Sequence, residues 1–145
     1  MNSKAIFLDI DGTIVAHHQS ISTKVKEAIT KARKNGHKVF ICTGRNKAAT
    51  RDELNQVTFD GIIASAGSYV EVAGKVIHQS FFSEKLVNKV TQVFNQNHIL
   101  FNYECTNVTY MSEDMIKLFA ALDNKEVTNS EMERLIAEHN EKFNA

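Results

Sequence analysis

The first half of the chain alternates between short apolar runs and one amphipathic segment. Residues 5–8, 38–42 and 62–64 are short, mostly apolar and bounded by turn residues, a pattern typical of buried strands. The segment between the first two runs carries apolar residues at the spacing of one helix face, namely Val25, Ala28, Ile29 and Ala32. Strand, helix and strand at these lengths predict a right-handed crossover and a parallel sheet.

Capping and turn residues define the limits of these elements. Ser22 is placed to cap the first helix, and Gly36 is placed for the left-handed turn that ends it. A second helical stretch is expected over residues 46–56. Further on, the pattern predicts a hairpin with strands at 69–72 and 75–78.

The character of the chain changes after residue 82. Residues 83–145 predict a helix, strands at 99–103 and 108–111, and two more helices. The apolar faces of the last two helices contain Met115, Ile116, Phe119 and Ala120, and then Met132, Leu135, Ile136 and Phe143. We therefore expect residues 83–145 to form an α+β domain separate from residues 1–82.

Two acids follow the first predicted strand. Asp9 and Asp11 lie on one side of an extended chain, and Ile10 points the other way. In open α/β sheets ligands bind beyond the carboxyl ends of the strands, so these acids are expected to face a ligand. Their oxygen atoms suit Mg²⁺, although Asp and Gly together are also common in simple turns.

The second predicted strand ends in Thr43, Gly44 and Arg45. A hydroxyl, an unobstructed glycine N–H and a following helix N-terminus are the parts of a phosphate site. In a parallel sheet this site lies at the same edge as Asp9. Arg45 either holds a substrate oxygen or pairs with an acid inside the fold.

Composition narrows the classes of partner. The 17 Lys and Arg residues balance the 17 Asp and Glu residues, so no basic field predicts nucleic acid or an anionic membrane as a partner. No apolar stretch approaches the roughly 18 residues that would cross a membrane. The balanced charge instead favours a small molecule as partner. Two distant cysteines, Cys42 and Cys105, form no disulfide framework, which favours a reducing cytoplasm.

Three motifs resemble one known family. The sequences Asp9-Ile10-Asp11-Gly12-Thr13 and Ile41-Cys42-Thr43-Gly44-Arg45 resemble the first two signatures of the haloacid-dehalogenase-like (HAD) phosphohydrolases. Residues 62–70 are similar to the Cof-type sugar-phosphatase branch, whose members usually read Ser-Asn-Gly-Ala where this chain reads Ser-Ala-Gly-Ser. The resemblance is close over about residues 4–82 and looser beyond them.

The resemblance implies a fold and a reaction. The fold is α/β, with a partial Rossmann-like core at 1–82 and an incomplete α+β cap at 83–145. The reaction is Mg²⁺-dependent hydrolysis of small phosphorylated metabolites, such as sugar phosphates, through an aspartyl-phosphate. Catalysis is assigned to Asp9 and Asp11, metal binding to the same two residues, and phosphate binding to Thr43, Gly44 and Arg45.

The sequence departs from the family pattern in two signatures. The third-signature Lys and the acidic Gly-Asp-x-x-Asn-Asp signature have no counterpart in the 145 residues. A truncated chain that is inactive alone is therefore expected. A non-catalytic phosphate-binding module, one half of a split protein, and a phosphotransferase or phosphomutase remain alternatives. Exposed sheet edges are expected to pair chains into a homo-oligomer.

Overall fold

The structure is a computed structural model that describes residues 2–16, 20–111 and 115–116. Its contacts divide the chain into two compact units. The first comprises residues 1–81 and 105–108, and the second comprises 82–104 and 109–145. This division falls beside the predicted boundary at 82, although the loop 105–108 returns to the first unit. The helices predicted around 115–120 and 132–143 lie outside the described residues, apart from Met115 and Ile116.

A five-stranded mixed sheet forms the centre of the first unit. Its strands, in both chain and spatial order, are β1 (Ala5–Leu8), β2 (Lys38–Cys42), β3 (Gly61–Ala64), β4 (Tyr69–Val72) and β5 (Lys75–Gln79). β1, β2 and β3 are parallel, whereas β3, β4 and β5 form an antiparallel meander. The predicted α/β class and the predicted hairpin are confirmed.

Helix α1 (Thr23–Lys34) makes the crossover between β1 and β2. The Ser22 side-chain oxygen accepts a hydrogen bond from the Val25 N–H at 3.4 Å. Gly36 has φ +85°, in the left-handed region, and donates its N–H to the Arg33 carbonyl at 2.9 Å. Both predicted ends of this helix are therefore confirmed, because each residue satisfies a backbone group that the helix leaves unpaired.

The helix predicted over 46–56 is divided. Residues Lys47–Thr50 form a 3₁₀ turn, and helix α2 covers only Arg51–Gln56. The Asn46 side chain caps the 3₁₀ turn by accepting the Ala49 N–H at 2.9 Å. The expected helix N-terminus beside Thr43 is thus a tight turn already capped by the protein, which weakens its contribution to anion binding.

The sheet is packed on one face. Its core cluster contains Ile10, Ile14, Val15, Ile21, Ile41, Ile62, Ala64 and Tyr69. On the opposite face Phe7 is 55% exposed and stacks on Phe40 with ring centroids 5.2 Å apart. Within the described residues β1 pairs with β2 alone, so β1 is an edge strand that carries an exposed aromatic ring.

The second unit contains helix α3 (Glu84–Gln96) and an antiparallel pair, β6 (Asn102–Glu104) and β7 (Thr109–Met111). The strand predicted at 99–103 begins three residues late. The Ile99 N–H still donates to the Phe94 carbonyl at 2.9 Å, after a left-handed turn at His98 with φ +54°. The chain is therefore still closing α3 where the strand was expected to start.

Two expectations from the sequence concern disulfide bonds and membrane-spanning helices. Cys42 and Cys105 are both free and exposed. Across 2–16, 20–111 and 115–116, no helix has the length and apolar character needed to span a bilayer.

Asp60 connects α1, β2 and the start of β3. Its carboxylate accepts hydrogen bonds from Arg33 Nε at 2.8 Å, the Val39 N–H at 3.0 Å and Lys38 Nζ at 3.1 Å. The Arg33 hydrogen bond, followed by the Val39 and Lys38 bonds, holds the pKa of this carboxyl far below its usual range. The Asp60 side chain is 11% exposed, but the Lys38 side chain is 63% exposed, so water screens the Lys38 contact more than the Val39 and Arg33 contacts.

We predict that Asp60→Asn lowers the free energy of unfolding by about 1–2 kcal/mol at neutral pH, because it removes charge-assisted hydrogen bonds. The pKa of Asp60 is lower in the folded state than its unfolded value of about 4. The stabilisation is therefore present above that value and is lost as the pH falls. Urea unfolding of the wild type and the variant at several pH values measures this difference.

Glu27→Gln on α1 is the matched control, since Glu27 is exposed and the same acid-to-amide change there should alter stability by less than about 0.5 kcal/mol. A difference between wild type and Asp60→Asn that persists undiminished at a pH of about 3 would contradict the assigned role.

Candidate active site

The loop after β1 closes on the carbonyl of Ile10. That oxygen accepts N–H groups from Thr13 at 3.3 Å, Ile14 at 3.2 Å and Val15 at 3.0 Å, while Gly12, with φ +75°, donates to the Val15 carbonyl at 2.9 Å. The Ile10 side chain is fully buried. With Ile10 anchored in the core, its two acidic neighbours are exposed, as the alternation predicts.

Thr43 follows β2 and is 5% exposed. Its N–H donates to the Ile63 carbonyl at 2.9 Å, and its hydroxyl oxygen accepts the Arg45 N–H at 3.2 Å. Since the oxygen acts here as an acceptor, the hydroxyl hydrogen can be donated to another group. Thr43 thus fixes the turn that leads into Arg45.

The loop after β3 supports the same turn. Ser65 donates its N–H to the Arg45 carbonyl at 2.8 Å, and Ala66 donates to the Thr43 carbonyl at 3.2 Å. Both residues have left-handed backbones, with φ of +50° and +52°. Left-handed conformations disfavour residues other than glycine, so these two bonds hold the loop in a conformation that it would not adopt alone.

Arg45 lies between two carboxylates. Its Nε donates to Asp11 Oδ2 at 2.9 Å, and its Nη2 donates to Asp11 Oδ1. Its Nη1 donates to Glu53 Oε1 at 3.1 Å and to the Ala49 carbonyl at 3.2 Å. The hydrogen bond to Asp11, followed by the charges of Asp11 and Glu53, raises the pKa of Arg45 further above its usual value. Arg45 therefore connects the loops after β1 and β2.

The two acids of the first motif have different surroundings. Asp9 is exposed and has no ion-pair partner among the described residues. Asp11 is also exposed, yet both of its oxygens are held by the Arg45 guanidinium. Environment therefore distinguishes two carboxylates that look equivalent in sequence.

Gly44 borders open space. A β-carbon added to this residue would meet no atom within 4 Å, and the backbone of Gly44 lies outside the left-handed region. Backbone strain therefore does not require a glycine here. The space beside the Gly44 α-carbon is therefore open, apart from the neighbouring residues 43 and 45.

Lys47, the cation nearest the second motif in sequence, is held elsewhere. Its Nζ donates to Glu71 Oε2 and, at 3.0 Å, to the Tyr69 hydroxyl. The Glu71 hydrogen bond, and then that of Tyr69, raises the pKa of Lys47, while Lys47 lowers the pKa of Glu71. Its charge is thus compensated by β4.

The predicted metal ligands, Asp9 and Asp11, are both exposed. No cluster of three or more His, Cys, Asp or Glu side chains suited to a metal occurs in the described part of the chain. Mg²⁺ is commonly held by one or two carboxylates together with water and substrate phosphate, so a full protein cage is not needed. The exposed Asp9 carboxylate fits that chemistry, whereas the Asp11 carboxylate is occupied by Arg45.

The sequence analysis missed Glu53. This side chain is 7% exposed, and it is the second acid that contacts Arg45. A signal was available: Thr50, Glu53, Leu54 and Val57 have the i, i+3, i+4, i+7 spacing of a buried helix face, and Glu53 is the charged member. A carboxylate on such a face calls for a cationic partner.

The first unit is an α/β domain with two acids after β1 and a Thr-Gly-Arg turn after the adjacent parallel strand β2. The family profile described as haloacid dehalogenase-like hydrolase matches residues 6–145. The chain therefore belongs to the haloacid dehalogenase-like hydrolase family, and the family predicted from the motifs is confirmed.

Relatives of known name or structure agree with this assignment. Bacillus subtilis YkrA is provisionally named a phosphatase. It is 27% identical to this chain over 121 residues, which cover 83% of this chain and 44% of YkrA. The HAD subclass IIB sugar phosphatase BT4131 is 29% identical, with a TM-score of 0.67, over 82% of this chain and 48% of BT4131. A Geobacillus kaustophilus protein shares the fold, with 21% identity and a TM-score of 0.75, over 85% and 48% of the two chains.

The chain spans less than half the length of these relatives. The names of these relatives describe whole proteins, of which this chain corresponds to one part.

We predict that Gly44→Ala keeps the stability of the fold and weakens the binding of inorganic phosphate by about tenfold, because the added methyl group would hinder the approach of an anion to the retained N–H, at a cost comparable to one charge-assisted hydrogen bond. Outside the neighbouring residues 43 and 45, the methyl group would meet no atom within 4 Å. Calorimetric titration with phosphate and urea unfolding measure the two effects.

Gly61→Ala is the contrasting variant. A β-carbon at Gly61 would lie 2.2 Å from the Glu71 carbonyl oxygen, so this change should destabilise the sheet. Unchanged phosphate affinity in Gly44→Ala would exclude Gly44 from the anion site.

Proposed function

We propose that this chain carries the nucleophile-bearing part of a Mg²⁺-dependent phosphomonoester hydrolase that acts on small phosphorylated metabolites such as sugar phosphates. Family membership supports hydrolase chemistry. The names of YkrA and BT4131 support phosphatase activity, and that of BT4131 supports a sugar phosphate as substrate. The metal, the metabolite and the covalent intermediate belong to the proposal.

The observation that carries the proposal is the contrast between Asp9 and Asp11. A carboxylate without an ion-pair partner keeps its oxygens available for nucleophilic attack. A carboxylate whose two oxygens both accept from a guanidinium is less available for attack, and it can take up a proton for acid–base chemistry once Arg45 releases one of those oxygens. We therefore assign attack to Asp9 and acid–base chemistry to Asp11.

In the proposed reaction an Asp9 oxygen forms a bond to phosphorus while the bond to the leaving alcohol breaks. Protonated Asp11 donates its proton to the departing oxygen. Asp11 then accepts a proton from a water molecule that attacks the aspartyl-phosphate, which releases inorganic phosphate and restores Asp9. Splitting one displacement into two easier steps is the advantage of covalent catalysis.

Phosphate binding is assigned to the turn after β2. The Thr43 hydroxyl and the Gly44 N–H would donate to phosphoryl oxygens, and the Nε and Nη2 groups of Arg45 have the fork geometry that suits carboxylate and phosphate alike. Because Arg45 holds both oxygens of Asp11, the reaction requires Arg45 to exchange at least one of these contacts for a phosphoryl oxygen.

Mg²⁺ would be held by the Asp9 carboxylate and the Asp11 backbone carbonyl, and when bound it would offset repulsion between these acids and a phosphate dianion. That repulsion is about 4 kcal/mol for each pair of unit charges 4 Å apart at an effective dielectric constant near 20. A phosphate approaching Asp9 therefore needs compensating charge.

The absent third-signature Lys and second acid cluster favour a second candidate, a phosphate-binding module without turnover. A phosphotransferase would use the same residues as the hydrolase. Self-association through the β1 edge also remains a prediction, motivated by the exposed Phe7.

We expect Asp9→Asn to abolish Mg²⁺-dependent hydrolysis of sugar phosphates by the native gene product and to leave its fold intact. The change is nearly isosteric but removes the attacking anion. Phosphate release from a panel of sugar phosphates, together with the mass of the purified native product, tests this. Asp52→Asn is the control, since Asp52 is an exposed acid on α2.

Hydrolysis that survives Asp9→Asn would refute the assignment of the nucleophile. The 145-residue chain by itself should release little phosphate, because removing even one electrostatic donor typically costs on the order of 10²–10³ in rate. Robust hydrolysis by this chain, lost on Asp9→Asn, would mean that a second copy supplies the missing groups.

A further inference from the structure

Glu53 has an environment that its contribution to the fold does not explain. It is a charged side chain, 7% exposed, on the short helix α2. One carboxylate oxygen, Oε1, accepts from Arg45 Nη1 at 3.1 Å. The other, Oε2, is buried and has no hydrogen-bond partner among the described residues.

A buried carboxylate with one unsatisfied oxygen is unfavourable for stability, because the lost hydration is only partly replaced. Removing one partner of a buried ion pair is destabilising when the other charge is left buried and unpaired. Arg45 would not be left so, because its side chain is 33% exposed and it also pairs with Asp11. Leu54, next to Glu53 on α2, and Val57, which directly follows α2, pack against the core cluster. An apolar residue at 53 would fit that pattern better than a carboxylate.

The Arg45 guanidinium has two edges, and these edges have different partners. Nη1 is held by Glu53 and by the Ala49 carbonyl, both within the segment that follows β2. The remaining edge, Nε and Nη2, is turned to Asp11. That edge offers two parallel N–H groups, the arrangement that binds the oxygens of a carboxylate or a phosphate in pairs.

We propose that Glu53 is a positioning residue: its buried carboxylate fixes Nη1 of Arg45 and thereby presents the Nε/Nη2 edge to an oxyanion. The oxyanion is Asp11 in the free chain and a phosphoryl oxygen when phosphate is bound, and this second part rests on the proposed function. In this proposal Glu53 acts through Arg45 and does not itself bind phosphate.

This arrangement also accounts for how Arg45 could exchange Asp11 for phosphate without leaving the site. The Glu53 and Ala49 contacts lie on Nη1, so they persist when the Nε/Nη2 edge changes partner. A guanidinium held at one side loses less conformational freedom when it binds an anion at the other.

The test compares Glu53→Met, which removes the acceptor, with Glu53→Gln, the conservative variant, whose amide oxygen can still accept from Nη1. Three quantities are measured for each: the side-chain ¹⁵N–¹H signals of Arg45 by NMR, the affinity for inorganic phosphate by calorimetry, and the unfolding midpoint in urea. Asp52→Asn is the matched control on the neighbouring residue.

We expect Glu53→Met to leave the unfolding midpoint nearly unchanged, to speed the rotation and exchange of the Arg45 guanidinium, and to weaken phosphate binding by about tenfold. Glu53→Gln should retain the wild-type Arg45 signals and most of the affinity. A merely structural role would instead lower the midpoint of Glu53→Met and leave the Arg45 signals of the folded fraction unchanged.

Unchanged Arg45 signals in Glu53→Met overturn the proposal, whatever phosphate does. Released Arg45 with unchanged phosphate affinity overturns its second part. If the wild-type chain binds no phosphate, the proposed function of this chain fails, while the Arg45 signals still decide whether Glu53 positions the guanidinium. Glu53→Ala is measured in the same way if the Met variant does not fold.

Discussion

The parallel register between β1 and β2 is the constraint on which the candidate site depends. Leu8 pairs with Ile41, so both strands end at the same edge and deliver the Asp9 and Thr43 loops side by side. A shift of one residue would turn each strand's side chains to the opposite face and would expose the apolar residues that now form the core. The burial of Val39, Ile41 and Ile62 therefore fixes the position of the chemistry as well as the stability of the sheet.

Electrostatics then organises what the register brings together. Arg45 lies between Asp11 and Glu53, so one cation compensates two carboxylates, while Asp9 remains without an ion-pair partner among the described residues. Lys47, which could have added positive charge, is compensated by Glu71. The described part of the site is thus acidic on balance, so the proposed phosphate chemistry would need a metal ion or further cationic groups.

Much of this arrangement follows from local sequence signals. The first three strands, the ends of α1 and the hairpin were predictable because apolar runs, Ser22 and Gly36 each have one dominant local explanation. The 3₁₀ turn and the late start of β6 were not, since they depend on the Asn46 cap and on the His98 turn, where side-chain and backbone bonds compete with propensity. Residues Asp9 and Thr43 could be placed at one edge from topology alone. The Arg45 contacts could not, because a guanidinium can reach several acids and only the packing of α2 brings Glu53 close to it.

The central claim is that the loops after β1 and β2 form one phosphate-binding edge. Titration of the ¹⁵N-labelled chain with inorganic phosphate in the presence of Mg²⁺, followed by backbone amide NMR, tests it most directly. The account predicts that the amides of Gly12, Thr13, Gly44 and Arg45 shift together with a single dissociation constant. Shifts confined to other surfaces, or different dissociation constants for the two loops, would contradict it.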